Sequence, residues 1–188
     1  GECASMYHGA NRLGGNSLLA ALYSGQKAAE TIAERAPENE SGSGRTPDFS
    51  SYVDSENEKL ERSKASKSLF PVMYIRHMLA DNMKEHLGIV RDEAALKKGI
   101  DDLDFFLRAS DALHFDSSVL AYFNYSLPPI LVLAKATLVS ALSRKESRGA
   151  HFRTDYPKED PQWQAASIIR WEDGEYKVRL DREGRYEN

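Results

Sequence analysis

The chain is expected to fold as a mainly α protein: an antiparallel three- to four-helix bundle with a small C-terminal β-hairpin subdomain. Three observations carry that expectation. Apolar residues recur at intervals of three and four through Val72–Leu87 and Leu96–Leu107, which is the spacing of a helix with one packed face. No alternating pattern interrupts the helical segments before residue 163. After it, two short β-favouring runs flank an Asp-Gly pair, a hairpin signal.

Taken in order, the first helix is expected over Asn16 to Arg35. Asn16 or Ser17 opens it, Leu18, Leu19, Leu22, Tyr23, Ala29 and Ile32 form its packed side, and Pro37 ends it. Pro37 to Pro47 is rich in Pro, Gly, Ser and charge and reads as a linker. From Asp48 to Ser68 the only large apolar residues are Phe49, Tyr52, Val53 and Leu60, so a solvated helix is expected there. A stripe of Val72, Ile75, Leu79, Met83 and Leu87 follows Pro71, with Gly88 placed just past its C-cap. His77 and His86 flank that stripe and read as solvated or core-edge side chains, because no cluster with metal-ligand spacing surrounds them.

Asp92 is placed to cap a helix whose stripe is Leu96, Ile100, Leu103 and Leu107, widened by Ala95, Gly99 and Phe106. Asp101 and Asp102 point about 100° apart on a helix and read as a solvated face, not as an acid–base pair. Phe115, Tyr122, Phe123 and Tyr125 are expected in the core. Pro128-Pro129 is expected to start the next helix, which is apolar almost all round from Ile130 to Leu142 and so should be the most buried. Gly149 breaks the dense basic segment of Arg144, Lys145, Arg148, His151 and Arg153, where basic C-capping and ion pairs with Glu146 and Asp155 are one reading. Ser167–Trp171 and Tyr176–Leu180 form the hairpin arms, with Trp163 and Trp171 expected to anchor them.

Composition bounds the partners. The chain has 188 residues, 41% hydrophobic and 29% charged, with net charge −4, which offers no electrostatic footprint for nucleic acid. Its single cysteine, Cys3, allows neither an internal disulfide nor a multi-cysteine metal site. The longest apolar run, Ile130 to Leu142, is short for a membrane span and contains Lys135, so no direct membrane insertion is expected.

The densest functional signal is the opening GECASMYHGANRLGGNSLLAAL. Seventeen residues hold Glu2, His8, Asn11, Arg12, Gly14, Gly15, Asn16 and Ser17, directly before an apolar helix. A helix N-terminus presents free N–H groups and partial positive charge to an anionic or electron-rich ligand. Arg12 adds a planar fork suited to a carboxylate or phosphate, and Glu2 can accept from hydroxyls. A glycine-rich capped turn with Arg12 in a surface ion pair is the alternative reading.

HGANRLGGNSLL, preceded by Gly1-Glu2, resembles the segment that closes the flavin site in succinate dehydrogenase and fumarate reductase flavoprotein subunits, a family that includes L-aspartate oxidase. RKESRGAHFRTDYP (Arg144 to Pro157) resembles that family's C-terminal signature, and HLGIVRDEAALKKGIDDLDFFL (His86 to Leu107) resembles its helical domain. The interval from Glu2 to His8 is one residue shorter than in several members. The sequence has no GxGxxG and opens on Gly1 inside a motif. It is therefore expected to be the C-terminal part of a longer subunit, whose dinucleotide-binding motif, flavin-linking histidine and capping domain lie upstream.

The resemblance implies a division into 1–36 (tail of an FAD-binding domain), 37–47 (linker), 48–147 (helical bundle) and 148–188 (C-terminal segment with the hairpin). It implies FAD as cofactor in the full-length subunit, a C4 dicarboxylate substrate, and interconversion of succinate and fumarate. Arg12 would bind a substrate carboxylate, while Glu2, Ser17 and Leu18 would contact FAD. Arg148, His151 and Arg153 would pack the helical domain against the flavin domain. No catalytic residue and no metal ligand falls in this stretch, and alone it should be inactive. The partner implied is an iron–sulfur subunit, at the cytoplasmic side of a membrane. A helical docking module without chemistry of its own is the reading from a different class.

Overall fold

The computed structural model describes residues 8, 12–35, 48–66, 71–111, 113–114 and 118–182. It divides into two compact units, Gly1–Phe49 and Ser50–Asn188.

The first unit contributes helix α1 (Asn16–Arg35). Gly15 sits at φ +82, the left-handed region that favours glycine, and the Asn16 N–H donates to Leu13 O at 3.2 Å. Leu18, Leu19, Leu22 and Ile32 are each about two-thirds exposed, and α1 buries no residue within its own unit.

The second unit begins with α2 (Ser50–Ala65), which buries nothing and carries i,i+3 Lys–Glu pairs on its surface, as its composition requires. Ser63 Oγ donates to Leu113 O at 2.8 Å, tying the helix to a residue fifty positions away. The core is built by α3 (Val72–His86), α4 (Glu93–Ser110) and α5 (Ser118–Ser143), each packed on the other two. Val72, Ile75 and Leu79 meet Leu96, Leu103 and Phe106, with Leu127, Leu131, Ala134 and Leu138 from α5. Asp92 caps α4 by accepting from the Ala95 N–H at 2.8 Å. A Cβ on Gly88 would lie 2.7 Å from Lys84 O, so glycine is needed at this helix end for close approach. Gly99 is a contact point between helices: a Cβ there would lie 2.8 Å from His86 Cβ and 3.2 Å from Leu138 Cδ1.

The structure corrects the expectation for Pro128-Pro129. They lie inside α5, which runs unbroken for 26 residues. Two backbone donors are lost, but Leu127 and Leu131 on either side are wholly buried, and packing holds the helical path. The longer helix changes the hydropathy reading too. Tyr122–Ser143 is long and apolar enough, by length and composition, to cross a membrane, although core helices pass the same test. One side of it, including Leu131, Ala134 and Leu138, lines the bundle core, while Ile130, Val132 and Leu133 are exposed. Tyr122 and Tyr125 are also exposed and Phe115 lies outside the described residues, so of the four aromatics expected in the core Phe123 alone is seen to pack on it, beneath Arg76 at 5.1 Å. Lys135 reaches across to Asp104 in an ion pair.

Two small sheets complete the unit. Strand β1 (Val90–Arg91) pairs in parallel with β2 (Phe152–Arg153), a contact spanning some sixty residues that the sequence does not announce. After a 3-10 turn at Pro161–Trp163, β3 (Ala166–Glu172) and β4 (Glu175–Asp181) form the antiparallel hairpin. Asp173 and Gly174 both take positive φ, 54 and 83, as a two-residue primed turn demands. The hairpin lies against α5, and Tyr176 OH donates to Val132 O at 3.1 Å. Trp171 is 61% exposed and meets Tyr176 edge to face across the strands, so it anchors within the hairpin and not into the bundle. Trp163 lies under the Arg144 guanidinium at 5.7 Å.

Candidate functional site

Two places concentrate chemistry: the approach to α1 and the segment after α5. Of the N-terminal candidates, Glu2 lies outside the described residues. Arg12 is exposed just ahead of the helix, and Ser17 and Leu18 are exposed in its first turn. The first turn carries no acidic residue, so nothing neutralises the positive end of the helix within it. A Cβ at Gly14 or Gly15 would meet nothing within 4 Å, which leaves open space before the helix. An exposed first turn, that open space and an exposed guanidinium are features that could form one edge of a site for an electron-rich or anionic cofactor.

The second place is closely knit. α5 ends at Ser143, and its last carbonyls turn towards Arg153, which is completely buried. Arg153 Nη1 donates to Leu142 O (2.7 Å), Arg144 O (3.3 Å) and Ala141 O (3.4 Å). Its Nε and Nη2 grip Asp155 bidentately at 2.9 and 2.5 Å. Asp155 also accepts from the Glu93 N–H at 3.0 Å, at the start of α4.

Glu146 is fully buried as well. It accepts from Arg144 (2.6 Å), from Arg148 Nε (3.0 Å) and Nη2 (3.0 Å), and from the Asp160 N–H (3.0 Å). Burial pushes its carboxyl upward, but the hydrogen bonds from Arg148, Asp160 and Arg144 outweigh it and hold the group down to about 2. Arg148 adds a pair to Glu159 and closes the turn in which Arg148 and His151 exchange backbone bonds around Gly149, φ +58.

His151 is fixed on both nitrogens. Arg91 Nη1 lies 2.8 Å from Nδ1, and Nε2 lies 3.2 Å from Arg144 O. Arginine can only donate and a carbonyl only accept, so the ring is neutral with its proton on Nε2. Burial lowers its pKa, opposed by the Arg144 carbonyl and reinforced by the charges of Arg91, Arg144 and Arg153. A ring engaged on both sides is not a free base.

Arg148, His151 and Arg153 thus hold the segment to its own unit, and the basic-capping reading describes their contacts. Arg153, being enclosed, presents no surface beyond that unit. Ion pairs of Glu146 were legible locally, but its complete burial, the role of Arg91 and the capping of α4 by Asp155 escaped sequence reasoning, because they depend on contacts between residues that a local window does not join. His86 lies at the core edge, 3.7 Å from Asp102, which also pairs with Lys98; Asp102 is therefore half-buried in a small polar cluster, not simply solvated. His77 is exposed. Among the described residues, no group of three or more His, Cys, Asp or Glu is placed to hold a metal ion.

Comparison with known proteins sets these features in context. A family model described as the fumarate reductase flavoprotein C-terminal region matches residues 76–185. The fumarate reductase flavoprotein subunit of Haemophilus influenzae is 37% identical over 169 residues, covering 85% of this chain and 27% of that protein. L-aspartate oxidase of Bacillus subtilis is 33% identical over 190 residues, covering 100% and 31%. The FrdA chain in a structure of Escherichia coli quinol fumarate reductase superposes with a TM-score of 0.74 at 28% identity, over 92% of this chain and 31% of that one. The chain therefore spans about a third or less of the length of these relatives.

Proposed function

The chain belongs to the fumarate reductase flavoprotein C-terminal family, and from that premise we propose that it is the C-terminal part of an FAD-dependent succinate dehydrogenase or fumarate reductase flavoprotein subunit. The observation that carries the proposal is the family match over residues 76–185, on a fold that superposes with a fumarate reductase. The domain itself is that of a flavoprotein oxidoreductase.

In the proposed subunit, FAD supplies hydride exchange with a C4 dicarboxylate, interconverting succinate and fumarate. Arg12 grips one substrate carboxylate through its planar fork, limiting the substrate to a reactive orientation. Glu2 accepts hydrogen bonds from FAD hydroxyls. The first-turn N–H groups at Ser17 and Leu18 donate to the pyrimidine edge of the flavin, where the positive end of α1 favours negative charge. The remaining parts of the site belong to the longer polypeptide, so residues 1–36 act as the tail of the FAD domain, 37–47 as linker, 48–147 as bundle and 148–188 as a C-terminal segment. Arg148, His151 and Arg153 contribute to domain packing by fixing the shape of the Arg144–Pro157 segment. An iron–sulfur subunit is the proposed electron-transfer partner, with the assembly peripheral to the cytoplasmic side of a membrane. The isolated chain is inactive in this reading.

An L-aspartate oxidase is the second reading, favoured by the match of the Bacillus subtilis enzyme over 100% of this chain. Dye-coupled turnover of the longer polypeptide with succinate, fumarate and L-aspartate tests the choice. Turnover with succinate or fumarate is expected; oxidation of aspartate alone would assign the oxidase reaction, and no turnover with any of the three would leave the docking-module reading.

A further inference from the structure

A cleft of about 440 Å³ opens in the second unit between the C-terminal end of α3, the outer side of α5, and β3. Leu87, Leu133, Ala136 and Ile169 give it apolar walls, and Arg91, Arg144 and His151 supply its polar end. No aspartate or glutamate lines it.

The charges around the cleft are unequally matched. Arg144 and Arg148 share Glu146, Arg148 also has Glu159, and Arg153 has Asp155. Arg91 has no carboxylate partner among the described residues. Its Nε donates to Leu87 O at 2.8 Å and Gly88 O at 3.0 Å, and Nη1 meets neutral His151. All of these partners are uncharged, and desolvation lowers its pKa. Nη2 makes no hydrogen bond among the described residues. Ser167 Oγ, on the β3 wall, is buried without a partner. A half-buried cation with neutral neighbours is costly unless an anion completes it.

We propose that this cleft is a binding site for a carboxylate carried on an aliphatic body, the carboxylate on Arg91 and the aliphatic part against Leu87, Leu133, Ala136 and Ile169. The volume is in the range of small-molecule sites. The carboxylate has two possible sources, a free medium-chain acid or an acidic side chain with apolar neighbours from the longer polypeptide. The cleft is lined by residues of the second unit and uses none of the residues assigned to the α1 motif, so its failure would leave the proposed oxidoreductase function untouched.

The test is NMR titration of the 188-residue chain with hexanoate, following the His151 ring and the methyl groups of Leu87, Leu133 and Ile169. Saturable shifts are expected, with the His151 pKa rising as a carboxylate settles beside Arg91, and with hexan-1-ol binding at least about tenfold more weakly. Arg91→Gln should weaken hexanoate at least about tenfold. Because Arg91 also braces the end of α3, Thr137→Trp serves as a second variant: Thr137 is exposed on the cleft wall, and its replacement should block binding with the circular dichroism spectrum unchanged. Binding by both the chain and the longer polypeptide identifies a free acid as the ligand, and binding by the chain alone identifies a side chain already seated there. Absence of saturable shifts, equal binding of hexan-1-ol, or hexanoate affinity unaffected by both variants would overturn the proposal.

Discussion

Arg153 and Asp155 form a bidentate pair in which each member terminates a different helix: the guanidinium closes the carbonyl end of α5, and the carboxylate accepts from the amide at the start of α4. Each charge thus meets the helix pole of opposite sign. Arg153→Met should therefore destabilise the chain by about 3–5 kcal/mol, leaving capped carbonyls without donors and Asp155 without its partner. Arg153→Lys should recover only part of this, since an ammonium cannot reproduce the fork. Urea unfolding of both variants measures the effect; equal stability of Lys and wild type would remove the bidentate geometry from the explanation.

The helices were legible in the sequence because their evidence is local. The stripe from Val72 to Leu79, the Asp92 cap and the Asp173-Gly174 turn each reside within a few residues, and each took the expected form. Pro128-Pro129 misled for the same reason: locally it signals a helix start, and only burial of Leu127 and Leu131 by distant residues keeps the helix intact. The basic segment was half legible. Arg148 and Arg153 announce C-capping and ion pairs, whereas the β1–β2 pairing and the Arg91–His151 contact depend on residues about sixty positions apart. The α1 motif was recognisable by its residue mixture, but the chemistry proposed for it needs groups that the described residues do not supply.

Stability should fall with acid in two stages. The folded pKa of His151 is lowered, so its contribution is present above its ordinary value near 6.5 and is lost as pH falls below it. Glu146 is held at about 2 against an ordinary 4.5, so its contribution is present above 4.5 and drains away as pH falls from there towards 2. Urea midpoints measured from pH 8 to 2.5 should decline through both windows. Glu146→Gln should lower stability at pH 7 and flatten the decline below 4.5; an unchanged acid profile would contradict the buried-carboxylate assignment.

Gly99→Ala should destabilise the bundle by about 1–3 kcal/mol, because the new methyl would overlap His86 Cβ and press on Leu138. Gly174→Ala should cost about 1–2 kcal/mol for a different reason, since its surroundings are open and only φ +83 opposes a side chain. Thermal melts distinguish the two: adding His86→Gly, which removes the Cβ that the new methyl meets, should relieve much of the first penalty and none of the second.

Replacing Arg12 with Lys in the longer polypeptide should reduce turnover with succinate or fumarate by at least about tenfold while flavin content stays near that of the wild type, because a point charge replaces a two-point grip on the substrate carboxylate. Flavin absorbance per polypeptide and steady-state rates check both halves. Normal turnover would remove Arg12 from the substrate site.

The most direct test is anaerobic addition of succinate to the flavin-loaded longer polypeptide, read as bleaching of flavin absorbance, with L-aspartate added in a parallel sample. Bleaching by succinate and not by aspartate is the predicted result. Bleaching by aspartate alone, or a polypeptide that carries no flavin, would contradict the assignment to succinate–fumarate chemistry.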